Sequence, residues 1–176
     1  MTLRRLIAVV GPSGVGKDSI MEGLITLNPS WHRLRRVITR APELGGEDYE
    51  PVSEAEFDRR KQAGEFFLSW GAHGLYYGLP KSEMDHPQVI ANFSRSALAE
   101  ADARVPLIVL NITASAEVLA KRLAGRGRET AQEIERRLAQ ASRGIPAGLN
   151  VIDIRNDGTL DQAIQAAHHA LSDERV

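Results

Sequence analysis

The stretch that most constrains the fold is LIAVVGPSGVGKDS, Leu6 to Ser19. Leu6–Val10 is an unbroken apolar run rich in branched residues, which suits a strand buried on both faces; a strand with one wet face would alternate. Glycines follow at 11, 14 and 16, then Lys17, then DSIMEGLITL, where Ile20, Leu24 and Leu27 fall at helical spacing until Asn28-Pro29 stops the helix. A strand that turns through glycines into a helix commits the chain to an α/β plan. The loop fits G-x-x-x-x-G-K-[ST] except at its last place, where Asp18 stands.

That loop predicts phosphate binding. Its glycines let backbone N–H groups turn inward, and together with the positive end of the next helix they cradle a polyphosphate. Gly11, Pro12, Ser13, Gly14, Val15, Gly16, Lys17, Asp18 and Ser19 are the candidate ATP contacts, with Lys17 also the candidate catalytic cation. Asp18 replaces the hydroxyl that normally touches Mg²⁺. A carboxylate is also a hard oxygen ligand, so Asp18 or Ser19 is a candidate for the metal. The alternative is that Asp18 caps or solvates the turn.

Strands and helices alternate along the rest of the chain. LRRVITR (Leu34–Arg40), EFFLSW, GLYYGLP, QVIANF, VPLIVLNI (Val105–Ile112) and LNVIDIRN read as strands. SEAEFDRRKQAG opens on Ser53 and Glu56, a capping-box pair, and closes at Gly64; TAQEIERRLAQASRG repeats the pattern from Thr130 and Glu133 to Gly144. A further helix is expected near Arg95–Ala103, and SAEVLAKRL is helical. In the last helix Leu160, Ala163, Ile164, Ala167 and Leu171 share one face. The expectation is one domain over 1–176, α/β with a central, mostly parallel sheet flanked by helices. A substrate-side subdomain at about 40–79 differs in texture from the rest.

Bulk properties narrow the function. With 176 residues the chain is long enough for a core, and with no cysteine it has no disulfide, thiolate metal site or cysteine nucleophile. A net charge of −1 gives no footprint for nucleic acid or a membrane surface, and no segment is long and apolar enough to span a bilayer. The short apolar run at Leu6 is no signal segment. Cytoplasmic small-molecule chemistry, by a monomer or homodimer, is the expectation. Anion binding must come from local clusters. Arg122, Arg126, Arg128, Arg136 and Arg137 gather around the glycine-broken AGRGRE. This suits a lid at about 122–137 that closes arginines over a transferring phosphoryl group, Arg126 and Arg137 being the catalytic candidates and Arg122 and Arg126 ATP contacts. The bland reading is a solvated face paired to Glu129, Glu133 and Glu135. Arg36, Arg40, Tyr49 and Tyr77 are candidates for a second anion, although tyrosines in LYYG also suit packing. His73 in GAHG reads as a surface loop residue.

In order and content these segments resemble the guanylate kinase family over nearly the whole chain. The carriers are GPSGVGK, ITRAP, DYEPVSEAEF, GEFFLSW with YYG, LAKRLAGRGRE with IERRL, and IRNDGTLDQAI. The resemblance implies a P-loop nucleoside-monophosphate-kinase-like fold, ATP as co-substrate with Mg²⁺, an arginine lid, and Asn156 near the adenine end of ATP. It also exposes departures. The family's T-T-R-x-P-R gives two arginines to the acceptor phosphate; here Arg40 is kept and Glu43 takes the second place. The family reads guanine with a carboxylate in F-[IL]-E-W; here Ser69 stands there, and IANFS replaces a later acidic run. A guanine donor edge needs acceptors, each worth roughly 1.5–3 kcal/mol when charged. With G-K-D-S in the loop, the chain is similar to one branch of the family, the ribose 1,5-bisphosphate phosphokinases of phosphonate breakdown. That branch implies transfer from ATP to a sugar bisphosphate, Ser69 joining the substrate candidates. A nucleoside monophosphate kinase is the alternative. A catalytically silent binding module is another, disfavoured by Gly11, Gly16 and Lys17.

Overall fold

The computed structural model describes residues 5–12, 14–42, 47–125 and 144–173. β1 (Arg5–Val10) is the middle strand of a sheet completed by β2 (His32–Arg33), β7 (Gln88–Asn92), β8 (Leu107–Thr113) and β9 (Val151–Arg155). The order is β2-β7-β1-β8-β9 and every pairing is parallel. Alternation along β1 sends Leu6, Ala8 and Val10 into one apolar layer and Ile7 and Val9 into the other. The first layer is closed by Leu98 and Ala101 of α3 (Leu98–Arg104). The second is closed by Ile20, Met21 and Leu24 of α1 (Lys17–Leu27), by Leu119 of α4 (Ala116–Gly125), and by Ala163, Ala167 and Leu171 of α5 (Leu160–Asp173). Each fully buried branched or aliphatic side chain contributes roughly 1.5–3 kcal/mol, so the sheet with its two helical layers is the anchor of the molecule. Leu160 departs from the expected helical face: it begins α5 and is 42% exposed.

A second sheet holds β3 (Val37–Ile38), β4 (Glu50–Pro51), β5 (Phe66–Ala72) and β6 (Leu75–Pro80) in the order β4-β3-β6-β5. α2 (Glu54–Gln62) is capped by the Ser53 hydroxyl, which accepts the Glu56 N–H. Glu56 does not complete a capping box, because its carboxylate pairs with Arg59 instead. β5 and β6 join through His73 (φ 54°) and Gly74 (φ 75°), the left-handed pair a two-residue hairpin turn requires. His73 is exposed there.

The segment LRRVITR is not one strand. Leu34 N still donates to Ile90 O of the large sheet (2.9 Å), whereas Arg36 O accepts from Glu50 N of the small one (2.8 Å). The chain changes sheets across Leu34–Arg36, so one stretch of strand-like sequence serves two sheets. The second crossing runs through a short 3₁₀ turn at Lys81–Met84.

Candidate active site

The loop after β1 is held by contacts from distant parts of the chain. Gly16 caps α1 at φ 97°, and a Cβ there would also lie 2.8 Å from Asn156 Nδ2. At Gly11 a Cβ would lie 2.5 Å from Ile112 O, inside any real contact. Asn156 is 4% exposed, its Nδ2 donates to Val15 O (2.8 Å), and its main-chain carbonyl accepts from Arg122 Nη2 (2.9 Å). Asn156 and Arg122 therefore brace the underside of the loop.

Lys17, the first residue of α1, donates from Nζ to Gly11 O at 2.7 Å. Burial lowers its pKa from 10.5 to about 8, and the guanidinium of Arg36 pushes the same way, against Asp18 and Glu47. The ammonium is thus a cation short of anions, which is how a phosphate-binding lysine should sit before its ligand arrives.

Arg36 is 5% exposed and is gripped by Glu47, whose Oε2 accepts from Nε (2.7 Å) and Oε1 from Nη2 (2.5 Å). Asn92, at the end of β7, donates to the same Oε1 at 3.3 Å. The Arg36 guanidinium lies 4.8 Å from the Tyr77 ring centroid, Tyr77 stacks on Trp70, and Trp70 donates from Nε1 to Ser94 Oγ (2.9 Å). Tyr77 is thus part of the packed floor under Arg36. Arg40 lies over Tyr49 (5.4 Å to the centroid), and the Tyr49 hydroxyl donates to Ala41 O. Ser69 sits on β5 opposite Gly78 of β6.

Asp18 does not cap α1, since Gly16 holds that place. Its Oδ1 accepts from Arg33 Nη2 (3.1 Å), and Arg33 Nη1 also donates to Glu22 (2.8 Å). The Asp18 side chain remains 41% exposed, and Ser19 is exposed beside it. A half-exposed carboxylate next to a phosphate loop, with Oδ2 outside the Arg33 bond, fits a hard divalent cation.

Sequence reasoning missed Glu47, Asn92, Arg95 and Arg33. Glu47 lies in a loop that reads as solvated, and nothing in GGEDYE marks a carboxylate whose side chain is only 10% exposed. Asn92 ends an otherwise ordinary apolar strand and Arg95 follows it. Ser13, Arg126, Arg128, Arg136 and Arg137 lie outside the described residues. Among the described residues there is no cluster of three potential metal-ligating side chains, and no helix is long and apolar enough to cross a membrane.

The family model of guanylate kinase matches residues 3–174. A ribose 1,5-bisphosphate phosphokinase (PhnN) of Ruegeria sp. (strain TM1040) is 52% identical over 97% of this chain and 93% of its own length. A bifunctional ribose 1,5-bisphosphokinase-thymidine phosphorylase of Cupriavidus necator is 45% identical over 87% of this chain, which spans only 26% of that longer protein. Among solved structures, guanylate kinase from Anaplasma phagocytophilum superposes with a TM-score of 0.70, covering 99% of this chain and 87% of its own, at 16% identity. The chain belongs to the guanylate kinase family, in its ribose 1,5-bisphosphate phosphokinase branch. It has that family's fold, a parallel five-stranded sheet flanked by helices, and its relatives are kinases, that is, phosphotransferases.

Proposed function

We propose that this chain transfers the terminal phosphoryl group of ATP to the 1-phosphate of ribose 1,5-bisphosphate, giving 5-phosphoribosyl 1-diphosphate and ADP. The names of its relatives support the reaction. The observation that carries it here is the sign of the acceptor side. The nearly buried carboxylate there, Glu47, is taken up by Arg36, which lies over Tyr77, while Arg40 lies on Tyr49 and Ser69 stands on β5. A guanine edge presents donors and needs carboxylates, whereas a sugar with two phosphates needs cations.

Lys17 and the loop N–H groups hold the donor phosphates, and Asn156 and Arg122 keep that loop in shape. Arg36 and Arg40 orient the anionic acceptor. An acceptor oxygen that is already ionised needs no general base, so positioning and charge neutralisation carry the step. Mg²⁺, held by Asp18 with Ser19 nearby, would neutralise phosphate charge when bound. Arg126 and Arg137 belong to the same proposal as lid cations.

The test is ADP release with ATP and Mg²⁺, comparing ribose 1,5-bisphosphate with GMP. Turnover with the sugar bisphosphate and none with GMP is the expected result. Turnover with GMP alone would overturn the reading.

A further inference from the structure

The chain leaves the large sheet beside the phosphate loop at one further place. Phe93 N donates to Val9 O (2.9 Å), pinning the end of β7 to the strand that feeds the loop. Arg95 opens a short 3₁₀ turn, Arg95–Ala97, immediately afterwards. This is the carboxyl-end crevice where open α/β sheets take their ligands. The turn follows Ser94, to which Trp70 of β5 bonds, so it also abuts the acceptor-side sheet.

Arg95 is a cation in this neighbourhood that, like Lys17, has no carboxylate partner among the described residues. Arg36 has Glu47, and Arg33 has Asp18 and Glu22. Among the described residues no carboxylate pairs with Arg95, and its Nε is buried with no hydrogen-bond partner. A buried guanidinium N–H with no acceptor is rare in a folded protein without a ligand to receive it. Its positive charge is also one of the smaller influences that lower the Lys17 pKa, and partial burial lowers its own.

We propose that Arg95 binds the phosphate of the acceptor that receives the transferred group, beside the phosphate loop, and is a specificity-determining residue for the reaction. The inference rests on the function proposed above. In the step, an anionic oxygen of that phosphate forms the new bond to the terminal phosphorus of ATP. The bond to the bridging oxygen breaks, and its electron pair leaves with ADP. No proton need move, and Arg95 offsets negative charge on the acceptor as the two anions approach.

The experiment uses Arg95→Gln and Arg95→Lys in the full chain. For Arg95→Gln, kcat/KM toward ribose 1,5-bisphosphate should fall on the order of 10²-fold, with the KM for ATP unchanged and Arg95→Lys recovering part of the loss. A side chain that merely supported the fold would lower ATP affinity and melting temperature in step with acceptor affinity, and that result overturns the proposal. Unchanged acceptor kinetics in both variants, with an active wild type, also overturn it while the function stands. A wild type inactive on the sugar bisphosphate would sink the function. Titration of the ADP-saturated protein with inorganic phosphate then decides Arg95 by itself. Binding by the wild type that is lost in Arg95→Gln upholds the site; equal binding, or none in either protein, overturns it.

Discussion

The donor side and the acceptor side of this site are built by different means. On the donor side the ligand surface is backbone. In the proposed site Gly11 and Gly16 shape a loop whose N–H groups would hold the donor phosphates, and the Asn156 side chain braces it. On the acceptor side the surface is side chain. Arg36, Glu47, Asn92, Tyr77 and Trp70 come from separate segments and meet in one packed cluster. A backbone site is fixed by where glycines fall in one short stretch. A side-chain site depends on which strands become neighbours, so it can be rebuilt for another acceptor while the loop stays as it is.

The strongest test of the donor side is Lys17→Ala. Loss of the one loop cation should lower kcat on the order of 10²–10³-fold, while circular dichroism shows the fold retained; full turnover would mean that the loop does not carry the transfer. On the acceptor side, Glu47→Ala leaves Arg36 charged and buried without its partner. A broken buried pair costs about 3–5 kcal/mol, so this variant should melt well below the wild type and lose acceptor affinity before ATP affinity. An unaltered melting temperature would mean that Arg36 finds another partner.

The two sides should also part in their pH dependence. Lys17 loses its proton near pH 8 when the site is empty, and only the ammonium attracts phosphate. ATP affinity should therefore decline above about pH 8, by up to roughly tenfold per unit until it levels off. The sign for folding is opposite. The folded pKa lies below the unfolded value, so the unfolded chain binds more protons between about 8 and 10.5. Stability should gain from this group as pH rises through that window. Calorimetric ATP titrations from pH 7 to 9.5 check the first expectation, and an affinity flat with pH would contradict it. The smallest effect belongs to Asp18. If its carboxylate holds the metal, Asp18→Asn should raise the Mg²⁺ concentration for half-maximal rate on the order of tenfold; an unmoved titration would leave only the Arg33 pair as its role.

The same contrast governs what could be read from the sequence. The strand, loop and helix around Lys17 were legible because burial on both faces, glycine spacing and the Asn28-Pro29 stop are all local signals. The parallel sheet followed from β1 and β8 being continuous apolar runs. Glu47 was not legible, because its burial depends on Arg36 lying 11 residues away in sequence and on Asn92 lying 45 away. Arg95 looked like an ordinary residue opening a helix. LRRVITR misled for a related reason: its β-branched Val37, Ile38 and Thr39 suit a strand, but no local pattern says that hydrogen bonding passes from one sheet to another midway.

That passage between sheets has a mechanical consequence. The small sheet is one continuous insert, so it is tied to the large one by just two lengths of chain, Leu34–Arg36 and the stretch from Lys81 to β7. Glu83 on the second length clasps the first, taking the Arg35 N–H on Oε1 (2.8 Å) and bonding His32 Nε2 through Oε2 (3.2 Å). His32 in turn stacks on His86, with centroids 3.8 Å apart. The two tethers form a single neck, and Arg36 sits at its upper end. The neck is not the only join: Leu68 and Leu79 of the small sheet are buried in the same apolar layer as Leu6 and Ala8 of β1, so the insert is seated on the large sheet and Arg36 is held at the junction of the two.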